Sequence, residues 1–68
     1  MINKYSEYDV LKACRDLSAN VCAGTRGTVL LVFADTPPHY EVEFMNDGES
    51  LDVFTVSEND IHALAERK

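Results

Sequence analysis

The sequence predicts a mainly β fold: a small open barrel of four to five antiparallel strands, closed by a short C-terminal helix or 3₁₀ turn. Three observations carry this. "YEVEF" at 40–44 alternates apolar and acidic residues with a period of two, the signature of a strand with one wet face. The "NDG" that follows at 46–48 supplies an Asp-Gly pair, which accepts the positive φ values of a tight hairpin turn. Short β-branched and aromatic runs elsewhere are separated by Gly and Pro breakers at close spacing, in a chain of only 68 residues.

Taken in order, residues 1–7 form an N-terminal lead, and Asp9 to Cys14, "DVLKAC", is read as a strand because it is short for a helix. "RDLSANVCAG" is a long loop. "GTVLLVFAD" at 27–35 is a second strand, stopped by "DTPPH", since proline neither continues a helix nor donates to a central ladder. Residues 39–56 are the hairpin. The tail opens with Ser57 and Asp60 at capping-box spacing, with Asp in place of Glu or Gln, and ends in Arg67 and Lys68. A short helix or 3₁₀ turn is expected near 58–66. The whole reads as one SH3-like domain over residues 1–68, with 58–68 as its C-terminal turn.

"AGTRGTV" at 23–29 holds two glycines around an arginine and raises the question of a phosphate cradle. Such cradles lead into a helix N-terminus, which offers free N–H groups and a positive end. Here the glycines lead into the strand "TVLLVF", and the lysine of a phosphate loop is missing. Gly24 and Gly27 are therefore expected to form a corner, where the backbone turns sharply and comes close to its neighbour.

At this point the sequence resembles a known family. "YDVLKACRDL", "AGTRGTVLLVF", "HYEVEF" and "LDVFTVSENDI" are similar to the small bacterial domain-of-unknown-function family 4926 over residues 8 to 64. "YEVEF" after "GTRGTV" is the most specific part. Cys14 and Cys22 in the first loop, and a bulky Phe54, depart from its pattern. The resemblance implies an SH3-like barrel and a compact accessory protein without known enzymatic activity. It also implies a partner of neighbouring toxin-like genes, carried on mobile gene cassettes. No catalytic or binding residues are carried over. A weaker likeness runs to the Kyprides–Ouzounis–Woese motif of ribosomal and transcription proteins, which also follows a glycine turn with G-x-V.

Twelve acidic and six basic residues give a net charge of −6, a field that repels nucleic acid and anionic membrane and favours a basic protein. The longest apolar run, Val29 to Ala34, is far short of the ~18 residues of a membrane helix. "MINKYSEYDV" has no signal-peptide core, so a cytoplasmic location is expected. Cys14 and Cys22, eight apart, match neither a redox nor a zinc motif and are read as small buried hydrophobes, with a single disulfide as the alternative. His39 and His62 lack further ligands at zinc spacing and are read as surface residues. No nucleophile–base pattern is present, so neither enzymatic activity nor any cofactor or metal is expected.

What stands out is apolar surface on both faces of the strands. Val29, Leu31 and Phe33 oppose Leu30 and Val32, and Leu51 and Val53 oppose Phe54 and Val56. A barrel this small buries one face of each strand, so the second set lies under the terminal turn (Ile61, Leu64) or under another chain. The function expected is that of a non-enzymatic protein-interaction module, antitoxin- or immunity-like. A homodimer would bury Leu30, Val32, Phe54 or Val56, and Glu41, Glu43 and Asp52 would steer a basic partner. The alternative is a nucleic-acid-binding barrel, with Arg15 and Arg26 on phosphates and Tyr40 and Phe54 stacking on bases.

Overall fold

A computed structural model describes residues 5–63. Its strands are β1 (Val10–Ala13), β2 (Arg26–Phe33), β3 (His39–Asn46), β4 (Glu49–Ser57) and β5 (Ile61–Ala63), with a single-turn 3₁₀ helix at Glu58–Asp60. They form one antiparallel sheet in the order β4-β3-β2-β1-β5. Consecutive elements β4 and β5 thus lie at opposite edges, and only three residues of 3₁₀ turn join them. That connection requires the sheet to curl, and the result is the expected small open barrel, a curled half-barrel.

The terminal element departs from expectation. The turn is one 3₁₀ turn, capped as the sequence suggested: the Ser57 N–H donates to the Asp60 carboxylate at 3.1 Å. The chain then leaves as a strand, because Ile61 is buried in the core and pairs with Ala13. Leu64 and the rest of the expected turn lie outside the described residues. The N-terminal lead also does more than lead: Tyr5 is part of the core, stacked edge-on against Tyr40 at 5.4 Å. Its N–H donates to the Tyr40 hydroxyl, and its own hydroxyl donates to the Ile61 carbonyl.

Inside the curl lie Leu11, Ala13, Val29, Tyr40, Val42, Phe44, Val56 and Ile61. The loop between β1 and β2 crosses the open side and inserts Val21, which is fully buried, with Leu17 packed beside it. Two polar ties hold this strap. Arg15 pairs with Asp60 of the 3₁₀ turn, and the Ser18 hydroxyl donates to Asp52 of β4 at 2.9 Å.

The corner is as expected. Gly24 takes φ +91° in open space, and Gly27 sits where a Cβ would meet Val42 at 2.6 Å and Phe44 at 2.9 Å. The hairpin turn is also as expected, with positive φ at Asp47 and Gly48. The cysteines are not. Cys14 and Cys22 are both exposed free thiols on the strap. Its core contribution comes from Val21 and Leu17 instead.

Candidate interaction surface

Which apolar set faces outward is decided by two β-bulges. Continuing the pairing set by Asn46↔Glu49 would place Val53 opposite Val42 and Leu51 opposite Phe44, all facing the core. Instead the ladder shifts between Phe44 and Met45, Leu51 is left without a direct partner, and the pairs become Phe44↔Asp52, Val42↔Phe54 and Tyr40↔Val56. A second shift lies between Val29 and Leu31, leaving Leu30 extra, so that Val32 rather than Leu31 opposes Tyr40. Because side chains alternate, a one-residue shift sends every later side chain to the other face.

The consequence corrects the expected surface. Val56 is core, Val32 and Phe54 pack against the core, and Leu30 is half-buried at the bulge. Val56 offers no surface to a second copy, and the other three are part-exposed. Asp52 falls on the inner row opposite Phe44, half-buried and bonded to Ser18, so it stands apart from Glu41 and Glu43.

The outer face carries the other set. Leu31 (49% exposed), Val53 (46%) and Phe33 (38%) face solvent, as do Val10 and Tyr8 beside them. Cross-strand pairing lays these out in rows. Val10 is opposite Thr28, Thr28 opposite Glu43, and Glu43 opposite Val53. The next row runs Leu31, Glu41, Thr55, and the last Phe33, His39, Ser57. Glu41 and Glu43, roughly 7 Å apart as alternate residues of one strand, therefore stand in mid-sheet between exposed aliphatics. Glu41 accepts the Thr55 hydroxyl at 2.9 Å. Among the described residues the charged contacts are Arg15–Asp60 and the His39–Asp35 approach, so neither glutamate has an ion-pair partner among them; Lys12 and Arg26, opposite each other, lie one row beyond Val10 and Thr28 on the same face.

Other places offer less chemistry. A cleft of about 590 Å³ lies between the strap and the hairpin turn, lined by Asn20, Cys22, Arg26, Asn46 and Asp47 among others. Its thiol, that of Cys22, lies 3.8 Å from the Thr25 hydroxyl. Among the described residues no three His, Cys, Asp or Glu side chains group as metal ligands, and no helix is long and apolar enough to cross a membrane. His39 is half-buried and lies 3.8 Å from Asp35, while His62 is exposed. Of the residues named for base stacking, Tyr40 is fully buried with its hydroxyl donating to Glu58, and Phe54 is half-buried against Phe44.

No curated protein and no solved structure matches the sequence. A family match spans residues 7–63, from the turn before β1 to the end of β5, and so takes in the strap, both bulges and the outer face. The chain belongs to the family described as Domain of unknown function (DUF4926).

Proposed function

We propose that the chain is a non-enzymatic protein-interaction module that binds a basic protein through the outer face of β2, β3 and β4. The observation behind this reading is the co-location of two carboxylates that have no ion-pair partner among the described residues, Glu41 and Glu43, with exposed Leu31, Phe33 and Val53 on one sheet face. Apolar side chains in mid-sheet leave burial to be gained on association, roughly 25 cal/mol per Å². The acidic net charge of −6 favours encounter with a cationic surface and disfavours nucleic acid. An SH3-like assignment is supported by the strand order and by the 3₁₀ turn before the last strand. An antitoxin- or immunity-like accessory role in the cytoplasm, on a mobile gene cassette, is the form this takes under the family resemblance.

A second copy is the poorer occupant. Of the residues expected to drive dimerisation, Val56 is buried and Leu30, Val32 and Phe54 are half-buried within the chain. A two-fold axis through the outer face would also set Glu41 and Glu43 near their own copies, and like charges there cost free energy. Sedimentation at micromolar concentration and neutral pH is expected to give a monomer.

Co-expression with the product of the adjacent gene tests the reading. The expected result is a stable complex that weakens as salt rises and is lost in Glu41→Lys/Glu43→Lys. No complex, or one indifferent to both glutamates and to Leu31→Ser, overturns it.

A further inference from the structure

Resting on that reading, we infer that the outer face selects arginine over lysine in its partner: an apolar segment whose arginine spans Glu41 and Glu43 while its neighbours cover Leu31, Phe33 and Val53. Three features of the face argue for this.

The first is spacing. The two carboxylates are alternate residues of β3 and share a face, roughly 7 Å apart at the backbone. A guanidinium is a planar fork with five donors and reaches two such acceptors at once. An ammonium is a compact point charge that settles on one.

The second is how the acceptors are held. Glu41 takes the Thr55 hydroxyl on one oxygen, Oε1, which fixes the carboxylate over the sheet and leaves Oε2 open to a partner. A pre-oriented acceptor rewards a donor group of fixed geometry more than a freely rotating one.

The third is the setting. Leu31 is the direct cross-strand neighbour of Glu41, and Val53 that of Glu43. A cation approaching the pair must lay its stem over aliphatic surface and shed water from its head. The guanidinium is more weakly hydrated than the ammonium, so it loses less there. Beyond the pair, Phe33 and Leu31 offer apolar contact to the residues flanking that arginine.

The chain's edges suit a partner less well. The described part of β5 is three residues long, and β4 carries a bulge at Leu51 and the inward carboxylate of Asp52, both features that discourage strand addition.

The test uses two synthetic capped peptides, identical except for one central residue, arginine or lysine, flanked by leucines. Each is titrated into the ¹⁵N-labelled protein and followed by NMR. The arginine peptide is expected to shift amides of residues 31–33, 41–43 and 53–55 and to bind at least ~5-fold more tightly than its lysine twin. Glu41→Gln/Glu43→Gln, both surface changes, should abolish that preference. Equal binding of both peptides on this face overturns the arginine selection and leaves the interaction reading standing. Binding of neither, or shifts confined to the β4 edge or the strap cleft, overturns both.

Discussion

Gly27→Ala is the sharpest probe of how closely β2 and β3 approach. Gly27 lies in the central strand, paired with Leu11 on one side and Phe44 on the other, so the ladder holds it from both flanks. A Cβ there would sit 2.6 Å from Val42 Cγ1 and 2.9 Å from Phe44 Cδ1, against 3.4 Å where ordinary contact begins. The Val42 methyl would have to retreat by 3.4 − 2.6 = 0.8 Å. Val42 is β-branched and stiff at χ1, and both neighbours are fully buried, so the strain passes into the core. Overpacking of this kind costs about 1–3 kcal/mol, partly offset by the ~0.4–1 kcal/mol that alanine gains by restricting the unfolded chain. For a contact as close as 2.6 Å the net loss is about 1–2 kcal/mol, out of the ~3–10 kcal/mol available to a chain of this size. A Tm lower by roughly 4–16 °C is expected, read by circular dichroism melting. Val42→Ala removes the nearer of the two clashing atoms. The double variant should therefore be more stable than additivity allows, by at least ~1 kcal/mol in a urea-denaturation cycle. Gly24→Ala is the control. It meets open space at φ +91°, so its cost is a backbone cost and should add independently to Val42→Ala. A Gly27→Ala melting point within ~2 °C of the parent, or strict additivity with Val42→Ala, refutes the argument.

Three further outcomes are expected. Leu31→Ser should change stability by no more than ~0.5 kcal/mol, whereas Val32→Ser, one residue on and packed against the core, should cost at least ~1.5 kcal/mol in urea; reversed sensitivities would mean that the bulge is misplaced. Tyr40→Phe removes the hydroxyl that receives the Tyr5 N–H and donates to Glu58, and should cost about 0.5–1.5 kcal/mol with faster hydrogen exchange at the Tyr5 amide. Asp60→Ala breaks the cap on Ser57 and the pair with Arg15 and should cost about 1–2 kcal/mol in denaturant melts. Arg15→Ala, whose side chain is largely exposed, should stay within ~0.5 kcal/mol.

Most of the fold was legible because its signals are local. The Asp47-Gly48 turn, the alternation from Tyr40 to Phe44, the proline stop and the Ser57–Asp60 cap each depend on residues within a few positions of one another. β5 was missed because its cause is distant. Ile61 is held by packing and by its pairing with Ala13, far away in the sequence. A three-residue strand after a helical cap leaves no periodicity to read. Tyr5 was missed for the same reason. A lone aromatic in a polar segment gives no pattern, although an aromatic there is itself a hint of burial. Free cysteine is generally a buried residue, yet on the strap it is Leu17 and Val21 that pack into the core while both thiols face outward.

The candidate surface shows where reading a sequence meets its physical limit. Two apolar sets on each of β2 and β4 were visible, and one of each had to be inside. The choice between them hangs on single-residue shifts in the ladder, at Leu30 and Leu51. Nothing local marks either leucine as a bulge, since neither is a glycine and neither adjoins a proline. The inner face settles the phase. Tyr40 and Val42 require close cross-strand partners, and the shifts give them Val56 and Phe54 while the strap seats Val21 on the open side. The bulges that complete the core are the same ones that turn Leu31, Phe33 and Val53 outward beside Glu41 and Glu43. Filling the interior and presenting an apolar, acidic exterior are thus one structural decision in this chain. A change that erased either bulge should therefore cost stability and remove the proposed docking surface together.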